Sequence, residues 1–160
     1  MDADDQLTGI DRVRTMLAQD VASEALGIEA LEVGIGSARM RMTVRPDMVQ
    51  GYGTCHGGLV FALADTAFAA ACNGRGHGPV FAASAEITWV SPAFAGDVLI
   101  ADAGEHTRYG RHGVTDVRVT RQRDGELVAL FRGRSLELPE RPAPTAPTAR
   151  TAPTATEGGR

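Results

Sequence analysis

The sequence contains no lysine, although it has 16 arginines among its 160 residues. A chain without lysine cannot form a Schiff base through a lysine amine, so that class of covalent catalysis is excluded. The formal net charge is −4 at pH 7 and the isoelectric point is near 5.5. This acidic balance gives no electrostatic case for a nucleic-acid partner.

Cysteine is scarce, and the two cysteines flank one apolar segment at Cys55 and Cys72. If that segment is a continuous helix, they lie about 25 Å apart, which is beyond the reach of a disulfide. We therefore expect two free thiols in a reducing compartment. A thiol nucleophile at Cys55, activated by His56, is disfavoured because sequence neighbours seldom face each other. The sequence has neither a CxxC pair nor a metal-spaced His/Cys cluster, so no metal is expected.

Long apolar runs are also missing. No stretch approaches the roughly 20 apolar residues of a membrane-spanning helix. The acidic start over residues 1–5 is unlike a signal peptide. We expect a cytoplasmic protein without a membrane partner.

The most informative segment is residues 59–72, which is almost wholly small and apolar and contains no proline. Such a segment predicts a helix buried on all sides, ended by Asn73-Gly74, residues that tolerate left-handed geometry. Asp65 is its only ionisable residue, and a carboxylate there is costly unless something compensates it. Two interpretations follow: a structural aspartate with a partner, or a catalytic carboxylate.

The residues ahead of this helix favour the catalytic interpretation. His56-Gly57-Gly58 lies where the helix should begin, and free N–H groups at a helix start carry partial positive charge. A carbonyl oxygen docked there would be polarised, as acyl transfer requires. The alternative is that the glycines allow a tight helix entry packed against a strand.

The remaining periodicities predict an α+β fold. An amphipathic helix is predicted over residues 7–25, ended by Gly27, and a hairpin over 28–44 turns at Gly34–Gly36. In the hairpin, Met40, Met42 and Val44 should form the buried face. Four further strands are predicted at residues 80–90, 97–108, 113–123 and 127–138.

In the strand over residues 80–90, Ala85, Ile87 and Trp89 alternate with polar residues. Consecutive strands with short links suggest an antiparallel sheet wrapped around the central helix. Residues 1–138 should form one domain. The Pro/Thr/Ala-rich residues 139–160 should be a disordered tail.

Three segments carry a specific resemblance, at residues 48–68, 87–99 and 128–135. They resemble the phenylacetate-degradation (PaaI-type) acyl-CoA thioesterases, which have the hotdog fold, a long central helix wrapped by an antiparallel sheet. The resemblance implies that Asp65 is the catalytic carboxylate, that the Gly57 N–H binds the thioester carbonyl and that His56 helps to position the site. Gln50 stands where the family often has Asn, and both residues offer an amide donor.

The resemblance also implies the partners. Coenzyme A phosphates need cations, and of the arginines on the last strands we select Arg111, Arg132 and Arg134 as candidate contacts. The family forms homodimers that often pair into tetramers. Helix geometry agrees with a shared site, because Gly57 and Asp65 are about 12 Å apart along one helix. No cofactor is expected.

We therefore predict hydrolysis of acyl-CoA thioesters, with aryl-acyl groups such as (hydroxy)phenylacetyl as the expected class. Asp65 would act either as nucleophile or as general base, and the sequence leaves both open. Two alternatives remain. One is a hotdog hydratase or dehydratase, for which His56 would serve beside the α-carbon. The other is a non-catalytic acyl-CoA-binding module, which would gain nothing from a costly carboxylate at Asp65.

Overall fold

The computed structural model describes residues 3–75 and 78–139, with side chains from residue 9 onward. The helices are α1 (Ala3–Ala18), α2 (Val21–Leu26) and α3 (Gly57–Asn73). The strands are β1 (Glu29–Gly34), β2 (Ser37–Thr43), β3 (Val80–Trp89), β4 (Val98–Tyr109), β5 (His112–Arg121) and β6 (Leu127–Glu137). Of the predicted tail, residues 140–160 lie outside the described ranges.

The strands form one antiparallel sheet in the order β1-β2-β4-β5-β6-β3. Helix α3 packs across one face of this sheet and contacts strands from β1 to β6. The α+β architecture with a central helix, predicted from the sequence, is therefore confirmed. No helix in the described ranges is long and apolar enough to cross a membrane.

The amino-terminal segment forms two helices where one was predicted over residues 7–25. The break occurs at Asp20, whose carboxylate accepts the Ser23 N–H at 3.0 Å and caps α2. A short acidic side chain that bonds to the backbone in this way favours a new helix start over helix continuation. Gly27 ends α2 in the left-handed conformation at φ 67°, so the predicted end is confirmed.

The core lies between α3 and the sheet. On β2 and just beyond it, the side chains of Met40, Met42 and Val44 are at most 1% exposed, which confirms the predicted alternation. They face a helix whose small residues allow close packing against the sheet. The buried residues of α3 are Val60, Leu63, Ala64, Ala67, Phe68, Ala70, Ala71, Cys72 and Asn73.

The end of α3 differs from the prediction. Gly74 is not left-handed but right-handed, at φ −66°. Asn73 ends the helix through its side chain, which donates to the Val80 carbonyl and accepts the Val80 N–H, both at 3.0 Å. Glycine is needed at position 74 because a Cβ there would lie 2.5 Å from the Gly34 carbonyl oxygen. The small residue therefore serves a close approach of two chain segments.

Strand β3 lies at one edge of the sheet and pairs only with β6. Of the apolar residues that alternate along this strand, Ile87 is partly buried, whereas Ala85 and Trp89 are exposed. Phe81 at the start of β3 is also 56% exposed. The described elements leave β3 largely uncovered, with one row of backbone donors and acceptors unpaired.

Candidate active site

A cavity of about 560 Å³ opens at the start of α3. The loop before the helix forms one wall, and the end of β3 with the segment that follows it forms the other. Apolar side chains alternate with a few polar groups, as is usual for small-molecule sites. The lining residues are Gln50, Tyr52, Thr54, Cys55, His56, Gly57, Val60, Trp89, Val90, Ser91, Pro92, Ala93 and Val128.

His56 caps α3 and is held in one orientation by the backbone. Its Nδ1 accepts the Gly58 N–H at 3.0 Å, and its carbonyl oxygen accepts the Leu59 N–H at 2.9 Å. Because Nδ1 is an acceptor, the neutral imidazole carries its proton on Nε2. The exposed ring can therefore offer an Nε2–H donor at the cavity.

Gly57 presents a free backbone donor. The N–H of Gly58 is bonded to His56, but the N–H of Gly57 has no acceptor among the described residues. The carbonyl of Gly57 accepts the Trp89 indole N–H at 3.2 Å. The glycine is packed against strand β3, as the tight-entry alternative predicted, and its N–H is still available to a ligand.

Gln50 lies at the same cavity, and its amide serves the loop. The Gln50 Nε2 donates to the Thr54 hydroxyl at 2.8 Å, and its Oε1 accepts the Tyr52 N–H at 2.7 Å. An amide nitrogen has two N–H groups, so one donor remains. The longer side chain thus closes the turn that precedes His56.

Asp65 lies in the third turn of α3 and is absent from the lining of this cavity. Its side chain is partly buried and makes no hydrogen bond or ion pair with a described residue. Burial raises the pKa of the Asp65 carboxyl above its ordinary value of 3.8. The described part of the chain thus contains no partner of the kind that the structural interpretation requires.

Two phenylalanines flank Asp65 along α3. Phe61 and Phe68 lie four residues before and three after it, which places all three on one face of the helix. Both phenylalanines contact Phe131 of β6, at ring distances of 5.3 Å and 5.7 Å. An aryl-lined surface of this kind supplies little polar solvation, in keeping with the raised pKa.

The three predicted coenzyme A contacts differ in their surroundings. Arg132 is paired with Asp116 through two bonds, Nε to Oδ1 at 2.6 Å and Nη2 to Oδ2 at 2.8 Å. Arg111 and Arg134 are exposed and form no ion pair with a described residue. Along β6, Arg134 lies opposite Ser84, five residues from the pair formed by Ala129 and Trp89 at the cavity. This separation is about 17 Å.

The two cysteines are placed as structural residues, and the described residues form no metal site. Cys55 and Cys72 are free and buried. The Cys55 thiol is directed at the His56 carbonyl oxygen, at 3.8 Å, and burial raises its pKa. Burial likewise raises the pKa of the Cys72 thiol to about 12. Within the described ranges, no three His, Cys, Asp or Glu side chains are grouped as they would be around a metal ion.

Sequence reasoning did not place Trp89 in the site. The sequence presented it only as an apolar residue in an alternating strand pattern, whereas its indole is 55% exposed at the cavity and touches Gly57. The sequence offered one hint of a special role, since Trp89 is the only tryptophan of the chain. Its contact with a helix 32 residues away follows only from the three-dimensional packing.

The chain is similar to known thioesterases. Residues 52–128 match the thioesterase superfamily. The chain is 42% identical over 120 residues to the acyl-coenzyme A thioesterase PaaI of Escherichia coli K12. The aligned residues cover 75% of this chain and 84% of that protein.

Two solved structures extend the similarity to the fold. The PaaI protein of the E. coli phenylacetic acid degradation operon superposes with a TM-score of 0.78 at 37% identity, covering 82% of this chain and 94% of that one. A point mutant of the phenylacetic acid degradation protein PaaI from Thermus thermophilus superposes with a TM-score of 0.71 at 39% identity. The match covers 74% of this chain and 100% of that one. The chain therefore belongs to the PaaI-type acyl-CoA thioesterases, thioester hydrolases of the thioesterase superfamily with the hotdog fold.

Proposed function

We propose that this protein hydrolyses aryl-acyl-CoA thioesters, such as (hydroxy)phenylacetyl-CoA, to the free acid and coenzyme A. The observation that carries the proposal is a pair of unsatisfied groups on α3. Among the described residues, the Gly57 N–H at the helix start has no acceptor, and the Asp65 carboxylate, whose pKa is raised, has no partner. Thioester hydrolysis needs these two functions, a donor for the carbonyl oxygen and a base or nucleophile for the carbonyl carbon.

The Gly57 N–H is proposed to bind the thioester oxygen. The partial positive charge of the helix start adds to this donor, and the His56 Nε2–H offers a second one beside it. The remaining N–H of Gln50 lies at the same cavity. Negative charge that develops on the oxygen during attack is stabilised by donors that are already in place.

Asp65 is proposed to supply the electron pair. As a nucleophile, a carboxylate oxygen attacks the thioester carbon, the C–S bond breaks, and an anhydride forms that water then hydrolyses. As a general base, the carboxylate takes a proton from water, whose oxygen attacks the same carbon. Coenzyme A leaves as a thiolate and gains a proton in both routes. Phe61, one helical turn before Asp65 and only partly buried, supports an aryl-acyl group as the occupant.

The two groups are proposed to meet across a homodimer. Gly57 and Asp65 are eight residues apart on one continuous helix, or about 12 Å along its axis. The uncovered edge of β3 offers the surface for a two-fold partner, because two antiparallel copies of this strand satisfy each other's free backbone groups. Two such copies would bring Asp65 of one chain toward Gly57 of the other.

The same arrangement supports the coenzyme A contacts. Antiparallel pairing of two β3 strands places the Val80 end of one chain beside the Trp89 end of its partner. Arg134, opposite Ser84, and Arg111, in the turn between β4 and β5, then lie toward the partner's cavity. Arg132 is proposed as a weaker contact because Asp116 already neutralises it. We also expect pairs of dimers to form tetramers, as light scattering after gel filtration would detect.

Hydration chemistry and simple binding fit the site less well. A hydratase would need His56 as a proton carrier, but its Nδ1 is engaged by Gly58. A binding module would have no use for the buried charge at Asp65. The thioesterase assignment accounts for both features.

A panel of acyl-CoA thioesters, assayed by thiol release, tests the proposal. We expect phenylacetyl- and hydroxyphenylacetyl-CoA to give the highest kcat/KM, and Asp65→Asn to abolish turnover while acyl-CoA still binds. Asp102→Asn is the matched control, because that carboxylate is exposed on β4 and pairs with Arg39. Turnover by Asp65→Asn close to that of the wild type would refute the proposed chemistry. A preference for short or long aliphatic chains would refute only the aryl specificity.

A further inference from the structure

The peptide between Gly57 and Gly58 is held at both of its polar atoms. Its carbonyl oxygen accepts the Trp89 Nε1–H at 3.2 Å. Its N–H donates to the His56 Nδ1 at 3.0 Å. One bond comes from the helix cap and the other from a different element, at the end of β3. The plane of this peptide is therefore fixed from two sides.

The preceding peptide is held at one polar atom only. The His56 carbonyl oxygen accepts the N–H groups of Leu59 and Val60, at 2.9 Å and 3.4 Å. The N–H at its other end, that of Gly57, has no acceptor among the described residues. Its direction relative to the clamped peptide depends on φ and ψ of Gly57 alone.

Glycine itself does not restrict those two angles. Without a Cβ it samples far more of φ/ψ space than other residues do. The bonds of the His56 carbonyl to Leu59 and Val60 restrict the two angles in part. The Trp89 indole adds a restriction from another element, because it packs directly against Gly57. A Cβ at position 57 would lie 3.0 Å from Nε1, 3.1 Å from Cε2 and 3.4 Å from Cζ2 of that ring.

We propose that Trp89 is a positioning residue for the carbonyl-binding donor: its indole holds the Gly57 carbonyl and packs on the Gly57 Cα, and thereby aims the Gly57 N–H into the cavity. The inference rests on the proposed function, in which that N–H binds the thioester oxygen. Donors of this kind accelerate the reaction only when they are fixed before charge develops. It also gives a reason for a tryptophan that remains 55% exposed in the chain.

The first test is Trp89→Phe, which keeps an aromatic wall and removes the N–H. Since one hydrogen bond makes a modest net contribution, we expect kcat to fall about two- to tenfold. KM should stay within about twofold, because the bond acts on the donor and not on the ground-state ligand. Tyr109→Phe is the matched control, since it removes a polar group from another half-exposed aromatic residue, 57% exposed on β4. It should leave kcat unchanged.

The second test is a double-mutant cycle with Gly57→Ala and Trp89→Leu. In the wild-type background the added methyl group meets the indole, so kcat should fall sharply. In the Trp89→Leu background the methyl group has room, and Gly57→Ala should cost several-fold less. This coupling is not expected from a residue that only stabilises the fold. Circular dichroism and melting temperature establish that each variant is folded.

The outcomes separate the two proposals. No thiol release from any acyl-CoA by the wild-type enzyme would overturn both. Wild-type activity together with an unchanged kcat in Trp89→Phe would overturn the role of Trp89 and leave the proposed function standing. A higher KM with unchanged kcat in Trp89→Phe would also overturn that role, because Trp89 would then be a wall that contacts the ligand. Strictly additive effects in the double-mutant cycle would overturn it as well.

Discussion

The sharpest test of the site concerns its division between two subunits, and it uses two inactive variants. Asp65→Asn removes the carboxylate but leaves its own Gly57 donor intact. Gly57→Val blocks the donor, because even a Cβ at this position lies within 3.0 Å of the Trp89 ring, but leaves Asp65 intact. Each variant alone has two damaged sites per dimer and should be inactive.

The expected magnitude follows from the geometry. Eight residues of α-helix separate the two groups by about 12 Å, and an aspartate side chain recovers only a few ångströms of that distance. Gly57 must therefore work with Asp65 of the other chain. When the variants are mixed in equal amounts, half of the dimers are mixed, and each mixed dimer regains one of its two sites. The mixture should reach about a quarter of wild-type activity.

The assay is thiol release after the two variants have been unfolded together and refolded. A charge tag on one variant allows the mixed dimers to be counted by ion exchange. As a control, each variant is refolded separately, and the two are combined immediately before the assay. This mixture should give no activity. If mixed dimers form but remain inactive, both groups act within one chain, and the shared-site argument is wrong.

Three further results are expected. Because burial raises the pKa of Asp65 above 3.8, the folded chain binds more protons there than the unfolded chain, so its stability falls as pH rises from 3.8 through the raised pKa. Asp65→Asn should remove this loss and melt higher than wild type at neutral pH, whereas a lower melting temperature would reveal a stabilising partner for the carboxylate. Truncation after Leu138 should leave melting temperature and turnover unchanged, because the Leu138 N–H still bonds to the Pro79 carbonyl; a large loss of stability would show that the tail docks. Cys55 and Cys72 should react with a thiol dye only after denaturation, because both are buried with raised pKa values, and rapid labelling of the native protein would contradict their burial.

Much of the fold was determined locally by the sequence. The alternation of Met40, Met42 and Val44 with arginines is a strand pattern that one buried face requires. The apolar run through α3 forms the central helix of the core, as its composition favours. The predicted burial on all sides is wrong for the described chain, because Phe61 and Asp65 are only partly buried. Gly27 and Gly36 adopt positive φ where a helix end and a turn need it, at 67° and 68°. In each case the cause lies within a few residues of the effect.

Local patterns were misleading wherever a distant segment decided the outcome. Gly74 was expected to be left-handed and is not, because the Gly34 carbonyl passes too close for any side chain there. The α1–α2 break is a local exception: the Asp20 carboxylate bonds to Ser23, three residues further on, although the Ser23 hydroxyl also contacts Thr66 of α3 at 2.9 Å. Strand β3 carries an alternating pattern, yet it lies at the sheet edge and is covered only in part by the described chain, at Val80 and Ile87.

Some features of the candidate site were likewise predictable from the sequence, and others depended on the tertiary structure. The sequence alone singled out Asp65 as a lone carboxylate in an apolar helix and Gly57 as a helix start without a side chain, because both features are local. It left open whether Asp65 has a partner. Only the tertiary structure brought Trp89 against Gly57 and engaged the Gln50 amide in its own loop. The physical reason is that hydrogen bonds and packing act over a few ångströms in space, whatever the separation along the chain. Only the folded sheet brings the end of β3 to the start of α3.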